Sequence, residues 1–280
     1  DAARIFVIKG GPGVGKSTFM RYIGEAMLKR GYDVEFHCCS SDNGSLDGVV
    51  IPAIRVALLD GTSPHIVDPK NPGAVDQIIH LGDHWNEKGI RGNKREILSV
   101  NKELGRLFKH AYAYLAAAKL FLDEVESYYN ESNAFNVGAF DKMVLDLIHE
   151  IFEGKQRVTE SPKARHLFAT AITPDGSVSH LETVVDHLQK RYIINGDDGT
   201  GKTTLVRRLM EAALARGFNI TAFHCALNPK VIDHLVIHDL SLAIINNVEP
   251  HIYTPKEGDT IIDTMNCVDP VINEAYLVEK

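Results

Sequence analysis

Twice in this chain a lysine followed by a hydroxyl residue closes a glycine-rich octapeptide: Gly10-Gly11-Pro12-Gly13-Val14-Gly15-Lys16-Ser17 and Gly196-Asp197-Asp198-Gly199-Thr200-Gly201-Lys202-Thr203. Both fit G-x-x-x-x-G-K-[ST]. Glycines at those positions let successive backbone N–H groups turn inward on a phosphate, and the lysine adds a positive charge at the β and γ positions. Ser17 or Thr203 then offers a hydroxyl to Mg²⁺. Thr18 and Thr204, next along, complete the two candidate nucleotide-binding sets. In the second copy Asp197 and Asp198 put negative charge beside a site meant for phosphate, which weakens its claim.

Such loops act only when a strand and a helix hold them. The first follows the apolar run Ile5-Phe6-Val7-Ile8 and the second follows Tyr192-Ile193-Ile194. Each lysine opens a helical pattern, with Phe19, Ile23, Ala26 and Met27 in one copy and Leu205, Leu209, Ala212 and Ala213 in the other, stopping at Gly31 and Gly217. The offset of 186 between Lys16 and Lys202 also pairs Arg21 with Arg207 and Glu25 with Glu211. Phe36-His37-Cys38 matches Phe223-His224-Cys225 at an offset of 187, after which Asp47/Asp233, Pro64-His65/Pro250-His251 and Pro69-Lys70/Pro255-Lys256 return to 186. A repeat of this length indicates a duplicated unit.

The first loop, His37-Cys38-Cys39-Ser40-Ser41-Asp42, Leu46-Asp47-Gly48-Val49-Val50-Ile51-Pro52 and Pro64-His65-Ile66-Val67-Asp68-Pro69 together resemble a group of bacterial tandem P-loop ATPases, whose members are labelled ATPase or nucleotide kinase. The resemblance covers nearly the whole chain and implies a P-loop NTPase fold with ATP as the nucleotide. A guanine-reading Asn-Lys-x-Asp is absent. Members of that group are longer at both ends, so the chain, which starts at Asp1, is expected to be a trimmed piece with its second unit truncated.

Catalysis needs a carboxylate as well. Val56-Ala57-Leu58-Leu59-Asp60 has the form of a Walker B strand, which would set Asp60 near Mg²⁺ through water; its counterpart after Leu242-Ala243-Ile244-Ile245 is Asn246. Asp47 competes because Asp233 repeats it, although an acid there also suits a cap or turn. Asp42 is a third candidate. Lys16 with Asp60 or Asp47 forms the expected catalytic set. His37, Cys38 and Cys39, with His224 and Cys225, offer zinc-type donors, but adjacent strand residues point to opposite faces, so packing or lining of the nucleotide site is the better reading. His65 and His251 read as structural histidines before sensors of a γ-phosphate.

The expected architecture is α/β: two P-loop NTPase-type units, 1–188 and 189–280, each a mainly parallel sheet covered by helices. Between the loops, Ile97, Val100, Leu104, Leu107, Phe108, Ala111, Leu115, Ala118, Leu122 and Val125 recur at helical spacing, and Phe140, Met143, Val144, Leu147, Ile148 and Ile151 mark a second helix over 137–152. The pair reads as a helical hairpin inserted in the first unit over about 92–154 and acting as a packing arm rather than a nucleotide-responsive lid. Strands at 165–172 and 177–181 should complete the first sheet.

Composition bounds the rest. A 44% hydrophobic, 24% charged chain of 280 residues can build packed cores. No apolar stretch reaches bilayer length and no leader precedes the first strand, so a cytoplasmic location with reduced cysteines is expected and a membrane is not. A net charge of −7 disfavours nucleic acid. The expected partners are a nucleotide and either a second copy or another protein. Three activities fit: Mg²⁺-dependent ATP hydrolysis at the first site with a weaker or regulatory second site, phosphoryl transfer to a nucleotide or small metabolite with Arg157 or Arg165 as lid arginines, and a nucleotide-dependent switch without turnover.

Overall fold

The computed structural model describes residues 2–63, 66–249 and 252–271; His65 and His251, with their prolines, lie outside them. The chain is mixed α/β and forms two compact units, Asp1–Gly105 with Thr173–Asp175, and Arg106–Ile172 with Gly176–Lys280.

The first unit runs β1 (Arg4–Lys9), α1 (Lys16–Leu28), β2 (Glu35–Cys38), β3 (Leu46–Ile51), β4 (Val56–Asp60), β5 (Asp76–His80) and the short α2 (Glu87–Gly92). A 38-residue helix, α3 (Lys94–Glu131), follows. The second unit continues with α4 (Val137–Phe152), β6 (Ala164–Leu167), β7 (Thr170–Thr173), β8 (Gly176–Ser179), α5 (Leu181–Val185), β9 (Lys190–Asn195), α6 (Lys202–Ala215), β10 (Ile220–His224), β11 (Ile232–Ile237), β12 (Leu242–Asn246) and β13 (Thr260–Asp263).

The first sheet has the order β2-β3-β4-β1-β5, and the second, read from its other edge, gives β10-β11-β12-β9-β13 with β6 added beside β10. The duplication is thus carried strand for strand. In each copy the glycine-loop strand lies between two parallel neighbours, β4 and β5 or β12 and β13, while the outer pairs are antiparallel. Register corrects the sequence alignment. A bulge falls between His37 and Cys38 in one copy and between Phe223 and His224 in the other, so the offset stays at 186 and Cys225 matches Cys39, not Cys38. The turns agree: Cys39 N–H donates to Ser45 O at 3.0 Å and Cys225 N–H to Val231 O at 3.1 Å. Arg55 and Ser241 share the left-handed conformation at φ 57° and 47°.

Three other expectations change. The strand read at 165–172 splits: β6 pairs in parallel with β10 in the second sheet, and β7–β8 forms a separate two-stranded ribbon. Nothing from this stretch completes the first sheet. The unit boundary is not at 188/189, because α4 buries Phe140, Val144, Leu147 and Ile151 in one core with Leu205 and Leu209 of α6. That apolar face belongs to the second unit, so α3 and α4 are not a hairpin inserted in the first. Burying each of those large side chains stabilises the core by about 1.5–3 kcal/mol. On the opposite face of the same sheet, Leu181 and Val185 of α5 pack on Ile193, Val236 and Ile245. Cover on both faces explains why Tyr192-Ile193-Ile194 of β9 and Leu242-Ala243-Ile244-Ile245 of β12 are apolar without alternating.

The third change concerns α3. Its apolar stripe was expected to pack, yet Ile97, Val100, Leu104 and Leu107 are exposed, as are Tyr114 and Phe121 at 76% and 74%. The interruption before α4 also starts later than Asn130, at Ser132.

Candidate functional site: two glycine loops

In the first unit, β1 delivers the chain to the loop and α1 receives it. Gly13 and Gly15 take φ 77° and 87°, and a Cβ at either would meet nothing within 4 Å, so the loop is open to solvent. The first helical hydrogen bond is Phe19 N–H to Gly15 O at 2.8 Å. Helix geometry therefore leaves the N–H groups of Lys16, Ser17 and Thr18 at the helix start, where the backbone dipole favours an anion.

Lys16 Nζ donates to Gly10 O and Gly11 O, both at 3.0 Å, and lies 3.5 Å from Asp60 Oδ2 at the end of the neighbouring strand β4. Asp60 is fixed in turn by the Thr62 N–H at 2.9 Å, and Thr62 Oγ1 accepts from Gly10 N–H at 3.2 Å. Ser17 Oγ accepts from Leu46 N–H at 2.9 Å, which ties the hydroxyl to β3. The sequence treated Asp60 and Asp47 as rivals, but the antiparallel register Gly48↔Leu59 places Asp47 across from Asp60 one residue further on. Asp47 also hydrogen-bonds the Cys39 thiol, whose pKa is raised, chiefly by burial. Asp42 is used locally, accepting from Gly44 N–H and Ser45 Oγ. Trp85 was missed by sequence reading. A Cβ at Gly11 would lie 3.3 Å from its ring, and the side chain is 40% exposed.

The second loop has the same backbone, with Gly199 and Gly201 both at φ 86°, but different surroundings. Lys202 is buried and its ammonium is satisfied within the loop, by Gly196 O and Asp197 O at 2.7 Å and Asp198 Oδ1 at 3.2 Å. The end of α3 lies against the loop. A Cβ at Gly199 would sit 2.8 Å from Glu126 O and 2.9 Å from the Tyr129 ring, while one at Gly201 would meet Phe140. Tyr129 donates its phenol to Asp197 Oδ2 at 2.6 Å. Burial first, and that hydrogen bond second, push the phenol pKa up. Burial also raises the Glu126 carboxyl, with the Asp198 charge adding to it. Thr200 is fully buried and bonds Thr264 Oγ1 at 2.6 Å.

Where the first copy has Asp47 opposite Asp60, the second has Asp233 opposite Asn246, joined by Nδ2 to Oδ1 at 3.4 Å. Burial raises the Asp233 pKa, which the Cys225 thiol, Asn246 and the Lys202 charge partly offset. Asn246 Oδ1 is buried without a hydrogen-bond partner. The first copy therefore carries two facing carboxylates and the second a carboxylate facing an amide.

Comparison with protein-family models, curated proteins and solved structures finds no match to this chain.

The histidines and cysteines read as possible zinc donors do not converge: among the described residues no group of three or more His, Cys, Asp or Glu could hold a metal. His224 Nε2 instead meets His166 Nδ1 at 2.9 Å. Arg157 bonds Thr159 O and pairs with Glu160, and Arg165 is an exposed residue of β6. Both belong to the second unit. No helix is long and apolar enough to cross a membrane among the described residues. Trp85, Glu126 and Tyr129 reach the loops from distant segments, and no fixed spacing in the sequence marks them.

Proposed function

We propose that the first unit binds Mg²⁺-ATP in its open glycine loop and hydrolyses it, and that the second loop is a closed, regulatory copy. The carrying observation is Lys16 at the start of α1, 3.5 Å from the strand-end carboxylate of Asp60, in a loop whose Gly13 and Gly15 face open space. The residues fit the metal as well as the nucleotide. Ser17 and the facing Asp47 and Asp60 supply hard oxygen donors, directly or through water, and the ion would neutralise charge on the phosphates.

In this reading the loop N–H groups and Lys16 hold the β- and γ-phosphates and stabilise negative charge as it shifts toward the β-phosphate. Water attacks the γ-phosphorus, the bond to the bridging oxygen breaks, and ADP and phosphate leave. Asp60, held by Thr62, orients the water or the hydrated metal. Trp85 lies beside Gly11, where its fluorescence would report occupancy of the loop.

Phosphorus NMR of Mg²⁺-ATP with the intact chain, Lys16→Ala and Lys202→Ala tests the proposal, because free phosphate and a phosphorylated acceptor give separate signals. Phosphate release by the intact chain and by Lys202→Ala, with a loss of roughly 100- to 1000-fold in Lys16→Ala, is expected. Equal loss in the two lysine variants would refute a closed second copy. Unchanged ATP with all three proteins would remove hydrolysis by this chain.

A further inference from the structure

One set of apolar positions along α3, Ile97, Val100, Leu104, Leu107, Ala111, Tyr114, Ala118, Phe121 and Val125, recurs at alternating steps of three and four residues, a seven-residue repeat sustained over four heptads. A single helix packed on a globular core shows a period nearer 3.6, whereas a repeat of 3.5 is the seam of a supercoiled pair. The seam extends for about 42 Å at 1.5 Å per residue. It is open: Val100 is 64% exposed and the larger Tyr114 and Phe121 more so. Four heptads of solvated apolar seam call for a covering helix of the same period.

Charge identifies that helix. Histidine aside, residues 94–109 carry five basic and two acidic side chains, and residues 110–131 one basic and four acidic. This polarity opposes the helix's own dipole, which favours acids at the start and bases at the end. A parallel copy would set basic half against basic half. An antiparallel copy sets each half beside its opposite, about a two-fold axis that closes the assembly at two chains. It also brings bulky d positions level with small a positions, since Tyr114 then lies near Ala111 of the opposing helix.

We propose that α3 is a dimerisation helix and that two copies of this chain associate through an antiparallel coiled coil along the Ile97 to Val125 seam. The assembly stands apart from the nucleotide reading and does not require it. Light scattering after gel filtration should give twice the 31.0 kDa chain mass. Leu107→Asp with Tyr114→Asp, both at exposed positions, should return the mass to one chain with unchanged circular dichroism. A spin label at Ser99→Cys in a chain carrying Cys38→Ser, Cys39→Ser and Cys225→Ser, which leaves only the buried Cys267, fixes the direction. Antiparallel helices hold the two labels about 30–40 Å apart along the axis, while parallel ones bring them within about 20 Å. A single-chain mass at every soluble concentration overturns the proposal, as does a dimer indifferent to the two aspartates, or a short label distance.

Discussion

Lys16 and Lys202 are the same residue type at the same place in the same turn and both bond their loop carbonyls, yet one lies beside the strand-end Asp60 at an open loop and the other is buried beside the loop's own Asp198. Chemistry at this scale is decided by neighbours. Asp60→Asn should therefore leave nucleotide quenching of Trp85 in place while lowering phosphate release, because it removes the orienting charge and keeps the loop; loss of quenching together with turnover would assign Asp60 to binding instead. Asp233 makes a separate prediction about stability. Its folded pKa is raised by burial, so the native state holds the proton more tightly than the unfolded chain. The contribution is present below the ordinary carboxyl pKa of 3.8 and is lost as pH rises through the folded value. Urea titrations should show Asp233→Asn with a smaller fall in stability than the native chain as pH rises from about 4 to 7. Parallel pH profiles for the two proteins would contradict the raised pKa.

Elements show which parts of the fold the sequence discloses. Strand, loop and helix were legible twice because apolar runs, glycines and the α1 and α6 periodicities are local signals. The destination of 164–179 was not, since pairing of β6 with β10 is a long-range choice that four residues, Ala164 to Leu167, do not encode. The α3 stripe was visible, but its exposure was not, because a stripe shows that a face is apolar and leaves open what covers it. At its far end α3 closes the second loop through Glu126 and Tyr129, and this contact is testable. In a Lys16→Ala chain, whose first site is silent, dialysis should find little bound nucleotide. Adding Glu126→Gln and Tyr129→Phe should raise affinity by about 10- to 100-fold, the equivalent of the charge-assisted hydrogen bond lost. No gain would mean that the loop is kept shut by Asp198 or by the Glu126 carbonyl and the Tyr129 ring, which both substitutions leave in place. Elsewhere in the unit, Arg191 is buried against Asp259 at 2.7 Å and also bonds Leu188 O at 2.8 Å. Asp259→Ala should cost about 3–5 kcal/mol in urea unfolding, since it leaves a buried cation without its partner.

At the scale of the whole molecule, duplication has yielded two units with one strand order and unequal support. Sheet β2-β3-β4-β1-β5 has the core formed with α1 on one face, around Met20, Val49 and Leu58, whereas the second sheet is packed by α4 and α6 on one face and α5 on the other. The single tryptophan, Trp85, lies in the first unit, so its fluorescence follows that unit alone while far-ultraviolet circular dichroism follows both. Separate cores predict two thermal steps, with the fluorescence step the earlier. A ligand that binds only one folded unit stabilises it by mass action, by about 2.7 kcal/mol at a hundredfold excess over Kd. For a unit of roughly 100 residues that is a rise on the order of 10 °C. Mg²⁺ with a non-hydrolysable ATP analogue should therefore move the fluorescence step and leave the second dichroism step in place. If both steps move together, the second loop also takes nucleotide; if the two probes trace one transition throughout, the units unfold as one.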